Sequence, residues 1–91
     1  MKFNRDRMAN APRQRVAAAA MGTIDGVQHI EKAVQPLGMA AAFIILCEQL
    51  GVNPQDAFTM ARNVMIFAET GNRTPEFRAV ADYIKHEVIN G

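Results

Sequence analysis

Cysteine and long apolar runs are both scarce in this chain. Only one of its 91 residues is a cysteine, so no disulfide can form within the chain and nothing indicates an oxidising compartment. The apolar run Met39–Cys47 lies too far from the start to be a signal peptide. A helix over 36–50 would be about 22 Å long, which is shorter than the ~30 Å core of a bilayer. The segment therefore predicts a buried helix of a soluble, cytoplasmic protein.

Motifs that carry catalytic chemistry are also missing. The chain has neither a glycine-rich phosphate loop nor a Gly-x-Ser-x-Gly elbow. The carboxylates nearest to His29 and His86 are Glu31 and Glu87, two and one residues away, and neither spacing places two metal ligands on one helix face. Cys47 lies in the most apolar segment, which favours an inert core thiol over a nucleophile. We therefore predict no enzyme activity and no catalytic, metal-binding or cofactor-binding residue.

Strand patterns are absent, and helix signals take their place. No alternating apolar runs are joined by a hairpin turn signal. The four prolines suit the first turns of helices, and Asn53 and Thr74 precede two of them as N-cap residues. Gly51 and Gly71 stand where the preceding helices should end. The apolar spacing between these signals predicts four helices, over 12–34, 36–50, 54–70 and 75–90.

The second of these segments, 36–50, is apolar on all sides, so a helix there must be covered on all sides. The connections are short, which favours antiparallel packing of sequential helices. We therefore predict an all-α fold in which residues 12–91 form a single-domain four-helix bundle around helix 36–50. A chain this short buries only ~60–65% of its unfolded surface, so we expect a second copy to complete the core in a homo-oligomer.

Two glycines inside the first predicted helix leave two interpretations open. Gly22 and Gly26 each cost about 1 kcal/mol relative to alanine in a helix interior. The helix either breaks near Met21–Thr23 into two shorter helices, or uses Gly22 and Gly26 for close approach of another helix.

The charge is distributed unevenly along the chain. Residues 1–15 carry five basic side chains against one acidic, and the remainder carries five basic against eight acidic, which gives the net charge of +1. Residues 1–11 show no apolar periodicity and predict a flexible basic N-terminal arm. The arm either neutralises phosphates without reading sequence or is a solvated tail. The candidate nucleic-acid contacts are Arg5, Arg7, Arg13, Arg15 and Arg62.

A second nucleic-acid signal is weaker. Residues 46–62 resemble a helix-turn-helix, with a small residue at Cys47, Gly51 four positions later and then a new helix. That second helix has Asp56 in its first turn and Arg62 as its only basic side chain, whereas a recognition helix presents several donors to bases and phosphates. The pattern therefore favours an ordinary connection, where one helix ends and the next begins, over a DNA-recognition motif.

Segment 54–70 carries more apolar side chains than one small bundle can hide. We expect some of them to face a protein partner or a second copy, and the candidate residues are Phe58, Met60, Met65, Ile66 and Phe67. The first hypothesis is therefore a small non-enzymatic interaction protein, an adaptor or inhibitor, that docks a helical face on a protein partner and self-associates.

Two further hypotheses remain. The second is a nucleic-acid-binding accessory protein or transcriptional regulator that uses the basic arm and segment 46–62. The third is a small-molecule or peptide pocket near Gly22, Gly26 or Gly38, where side chains are missing. The short length and the basic arm suit small accessory proteins of bacteria or their viruses.

Overall fold

The computed structural model describes residues 3–89, and helices account for most of them. The prediction of an all-α fold is confirmed, since the one extended pairing within 3–89 is an isolated antiparallel bridge between Ile66 and Arg73. The elements are α1 (Arg5–Ala9), α2 (Arg13–Val27), α3 (Gln35–Leu50), α4 (Pro54–Met65) and α5 (Pro75–Tyr83), which continues as a π-helical segment, Ile84–Ile89.

Proline, cap and glycine signals set several helix ends as predicted. α4 and α5 begin at their prolines, and α3 begins one residue before Pro36. The side chain of Asn53 accepts a hydrogen bond from the backbone N–H of Gln55 at 2.8 Å, which caps α4. α3 ends at Gly51, whose φ of 73° is left-handed, and the N–H of Val52 then donates to the Cys47 carbonyl at 2.9 Å.

Two helices end earlier than predicted because the chain folds back on itself. α2 ends at Val27, where the side-chain amide of Gln35 donates to the carbonyls of Val27 at 3.0 Å and Ile30 at 2.8 Å. α4 ends at Met65, whose carbonyl accepts from the N–H of Thr74 at 2.9 Å. In both places a tertiary hydrogen bond satisfies a backbone group that a longer helix would have used.

The glycines of α2 fit neither interpretation offered by the sequence. The helix runs without a break through Gly22 and Gly26. A Cβ atom placed on either residue would meet no atom within 4 Å, so no neighbouring helix approaches closely there.

The buried core lies between α2 and α5. Ala17 of α2 and Phe77 and Val80 of α5 form one buried cluster, against which half-buried side chains of α2, α4 and the π-helical segment pack. Those side chains are Val16, Ala20, Met21, Val64, Met65 and Ile84. Helices α2 and α5 are therefore the elements that organise the fold.

The prediction that helix 36–50 is covered on every side is wrong for the single chain. Within α3 only Cys47 is buried, whereas Ile44 and Ile45 are exposed and Phe43 is half-buried. The reason is that α2 and α5 pack on each other and leave α4 as the main neighbour of α3. The axes of α3 and α4 bend by 115° at their short connection, so α4 covers one side of α3.

The molecule is flat, with extents of 39 × 32 × 18 Å. Its radius of gyration is 13.9 Å, against about 12 Å for a compact domain of this length. The N-terminal arm contains α1, whose cap is the Asn4 side chain accepting from the N–H of Arg7 at 3.1 Å. The flexibility of the arm and the oligomeric state stay predictions.

Candidate functional site

The outer side of α3 is an exposed apolar surface. Gln35, Met39 and Phe43, spaced four residues apart, are half-buried and lead to the buried Cys47. This row lies on one face of the helix because residues i and i+4 are neighbours on its surface. The opposite side presents large apolar side chains to solvent, with Leu37 73% exposed and Ile45 57% exposed. Of nine exposed large apolar side chains within 3–89, four belong to α3: Leu37, Ile44, Ile45 and Leu46.

An open groove runs between α3 and α4. It has a volume of about 260 Å³, and Phe43 and Ile44 of α3 face Phe58 of α4 across it. A second hollow of about 220 Å³ lies where α1 and α2 approach these helices, and Phe43 lines this hollow as well. The linings of both spaces are mainly aliphatic and aromatic side chains, so they can accept apolar groups of a partner. Neither space lies at Gly22, Gly26 or Gly38, where the third hypothesis expects a pocket.

The five predicted partner-face residues do not share one exposed surface. Phe58 and Phe67 are exposed, whereas Met60, Met65 and Ile66 are half-buried. Met65 packs against the core between α2 and α5, and Met60 lines the 220 Å³ hollow. Phe58, at the groove beside α3, is therefore the predicted residue best placed to meet a partner.

Arg13 is engaged within the fold. Its Nε donates to the carbonyl of Val64 at 2.7 Å, and a terminal nitrogen reaches the carbonyl of Ile66 at 3.4 Å. The guanidinium also lies over the ring of Phe67, 5.6 Å from its centroid. These contacts supply a positive charge and donors to the C-terminal end of α4, where the helix dipole and free carbonyls favour a cation.

The other candidate arginines fall into two groups. Arg5 makes an exposed ion pair with Asp56 at 3.3 Å, and Arg62 lies over the ring of Phe58 at 6.0 Å. Arg7 and Arg15 line one shallow hollow at the junction of the arm and α2, and within residues 3–89 their side chains meet no hydrogen-bond partner. The structure thus brings Arg7 and Arg15 together and places the remaining three elsewhere.

The connection between α3 and α4 has helix-turn-helix geometry. Three residues, Gly51–Asn53, separate the helices, and the bend of 115° lies within the range of about 90–120° typical of that motif. The exposed side of α4 carries Gln55, Thr59 and Arg62, which are residue types that contact base edges. The sequence resemblance over 46–62 therefore extends to the helix angle.

A tyrosine–carboxylate contact joins α2 to α5. The hydroxyl of Tyr83 donates a hydrogen bond to the Asp25 carboxylate. This hydrogen bond raises the pKa of Tyr83 above its ordinary value of 10.0, and desolvation and the negative charges of Asp25 and Glu87 act in the same direction. The contact links two core helices at their exposed edge.

Groups capable of catalysis or metal binding are dispersed in the described part of the chain. Between residues 3 and 89, no three His, Cys, Asp or Glu side chains lie close enough together to hold a metal ion. Cys47 is a buried free thiol, and His29 and His86 are both exposed.

No protein-family model, characterised protein or solved structure matches this chain. Within 3–89 no single helix has the length and apolarity to cross a bilayer, and α3 and α4 satisfy that criterion only when they are joined across their 115° bend. The site therefore has to be interpreted from its own geometry.

Sequence reasoning did not find the outer side of α3 as a surface. The signal was present, because 36–50 contains no charged residue before Glu48. The absence of charge predicts a need for cover within the chain, and this interpretation leaves Leu37, Ile44 and Ile45 out of the predicted partner face.

Proposed function

We propose that this chain is a non-enzymatic interaction protein, an adaptor or inhibitor, that docks apolar helical surface onto another protein and also self-associates. The observation that carries the proposal is the exposed apolar surface of α3 and of the adjoining groove at Phe58. Burying one Leu, Ile or Phe side chain stabilises a complex by roughly 1.5–3 kcal/mol. Large contiguous apolar patches on a protein surface mark interaction sites.

The groove between α3 and α4 is the docking point for the partner protein. Phe58 is 53% exposed and lines the groove together with Phe43, so an apolar side chain inserted there would bury it. Aromatic side chains in such positions contribute strongly to binding because they bury a large area with few rotatable bonds. Arg62, over the Phe58 ring, supplies a polar edge to the groove.

Capture from host lysate with two matched variants tests this proposal. The baits are the full chain, Phe58→Asp and Thr59→Asp, and each lysate is divided into nuclease-treated and untreated halves. Both variants add one negative charge to neighbouring exposed positions of α4, but Thr59 does not line the groove. We expect the full chain and Thr59→Asp to retain the same protein after nuclease treatment, and Phe58→Asp to lose it.

Three results would contradict the docking proposal: no retained protein, equal retention by Phe58→Asp, or retention that disappears when nucleic acid is digested. The last result would instead favour the second candidate function. Circular dichroism of both variants should match that of the full chain, since both residues are exposed.

The second candidate function is nucleic-acid binding, as an accessory protein or transcriptional regulator. The 115° bend at Gly51–Asn53 and the pairing of Arg7 with Arg15 favour it. Against it, Asp56 lies in the first turn of α4, where the negative charge repels phosphates, and Arg5 partly neutralises that charge. The phosphate contacts would come from Arg7 and Arg15, with α4 toward the bases.

Salt-dependent binding to duplex DNA tests the second candidate. Each phosphate contact removed should lower the slope of log affinity against log salt by about one, so Arg7→Ala and Arg15→Ala should each produce that change. Arg78→Ala, an exposed arginine on α5, is the matched control. Unchanged affinity and slope in both arm variants would contradict nucleic-acid binding through the arm.

A further inference from the structure

The outer face of α3, defined as Leu37, Gly38, Ala41, Ile44 and Ile45, has the spacing of a helix-packing face. Its residues recur at intervals of three and four, so they lie in one stripe along the helix. The stripe is formed by a run, residues 33–47, that contains no charged side chain. Such a stripe is typical of a helix that packs against another helix.

No residue of this face is buried within the described chain. All five of its residues are exposed, and a Cβ atom added at Gly38 would meet no atom within 4 Å. The lack of a side chain at Gly38 therefore serves no packing purpose inside the single chain. Glycine costs about 1 kcal/mol relative to alanine in a helix interior, so the position carries a cost without a benefit in the isolated chain.

The total surface area of the chain exceeds that of a compact monomer of its mass. One chain exposes 6872 Å², whereas a folded monomer of 10.0 kDa exposes about 5200 Å². The excess of about 1600 Å² is twice the roughly 800 Å² that each partner buries in a standard interface. A dimer contact would therefore remove about half of the excess.

We propose that the outer face of α3 packs against the same face of a second copy, with the two α3 helices antiparallel and a two-fold axis close to Ala41. The inference rests on the self-association part of the proposed function and assigns its surface. In this arrangement a residue that precedes Ala41 in one copy packs beside the residue that follows Ala41 by the same number of positions in the other copy. Leu37 then packs beside Ile45 of the second copy, and Gly38 beside Ile44, so that large side chains fill the spaces left by small ones.

The single charge near the face selects the antiparallel orientation. Glu48 follows the outer face at the next helical step, seven residues after Ala41. In the antiparallel pair the two Glu48 residues lie about 21 Å apart along the axis, at opposite ends of the contact. A parallel pair would place them side by side, where like charges repel. Antiparallel packing also brings opposite ends of the two helix dipoles together.

Replacing one isoleucine on the face tests which surface mediates the dimer. Ile45→Asp introduces a charge at the proposed interface, and Ile89→Asp makes the same change at an exposed isoleucine outside it. The two side chains are 57% and 56% exposed, so neither change disturbs the core. We expect light scattering after gel filtration to show that Ile45→Asp weakens the dimer at least ~30-fold, and that Ile89→Asp leaves it unchanged.

Disulfide cross-linking tests the orientation in a Cys47→Ala background. Ala41→Cys should form a covalent dimer, because the two positions face each other at the two-fold axis. Leu37→Cys should not, since in the antiparallel pair its two copies are about 12 Å apart along the axis, beyond disulfide reach. A parallel pair would cross-link both variants, and that result would overturn the proposed orientation.

The outcomes separate this inference from the function on which it rests. A wild-type dimer that persists in Ile45→Asp, without cross-linking of Ala41→Cys, would overturn the α3 interface and leave self-association standing. A strictly monomeric wild type would overturn self-association and the interface together, while docking of another protein at Phe58 would still be decided by the capture experiment. Circular dichroism of Ile45→Asp confirms that loss of the dimer is not loss of the fold.

Discussion

Arg13 joins the start of α2 to the end of α4 through two backbone carbonyls and the ring of Phe67. The carbonyls belong to the last turn of α4 and to the extended residue that follows it, where the helix itself supplies no donor. The side chain therefore has a structural role that its place in a basic arm does not reveal. Its neighbour Arg15 is exposed and has no such contact within the described residues.

We expect Arg13→Ala to lower the free energy of unfolding by about 1.5–3 kcal/mol, the usual contribution of a hydrogen bond to a charged group. Arg15→Ala should change it by no more than about 0.5 kcal/mol, as exposed substitutions do. Urea denaturation of the two variants gives the comparison directly. Equal stability of the two would show that the Arg13 contacts contribute nothing in solution.

Tyr83 provides a pH-dependent contact between α2 and α5. Its pKa is raised in the folded state, so the protonated hydroxyl is favoured by folding. The resulting stabilisation is fully present below pH 10 and is lost as the pH rises through the folded-state pKa. Because Tyr83 is the only tyrosine, an ultraviolet titration of tyrosinate measures its pKa directly. We expect Asp25→Asn to lower that pKa toward 10, and identical titration curves would contradict the contact.

At the scale of the helix, replacement by alanine should change stability in opposite directions for the glycines of α2 and for the glycine after α3. Gly22→Ala and Gly26→Ala should each stabilise the chain by about 0.5–1 kcal/mol, because both lie in a helix with open space around them. Gly51→Ala should destabilise it, because its φ of 73° strains any residue with a Cβ atom. Thermal unfolding of the three variants tests this, and destabilisation by Gly22→Ala would contradict the observed open packing of α2.

The starts of α4 and α5 could be predicted from sequence, whereas two helix ends could not. Pro54 and Pro75 mark starts because proline suits a first turn, and that information is local. The ends at Val27 and Met65 depend on hydrogen bonds from Gln35 and Thr74, which lie beyond the reach of the i to i+4 helix pattern. Apolar residues continue beyond both ends, so periodicity alone extends the helices too far.

At the scale of the molecule, composition does not reveal which helices form the core. A helix that is apolar all round, such as α3, has no single apolar face, so its sequence does not indicate which side packs against a neighbouring helix. α5 has a clear polar side, and its apolar side packs on α2 through Phe77 and Val80. The amphipathic helix α5 therefore forms the core with α2, and the most apolar helix retains an exposed side. The candidate surface could be predicted as a need for cover, but its position depends on which helices pack on each other.

The central claim is that the outer face of α3 is covered by a second copy of the chain. Sedimentation equilibrium of the wild-type protein from micromolar to hundreds of micromolar concentration tests it most directly. We predict a mass that rises with concentration to twice the 10.0 kDa of one chain. A mass that stays at that of a single chain over the whole range would contradict the claim.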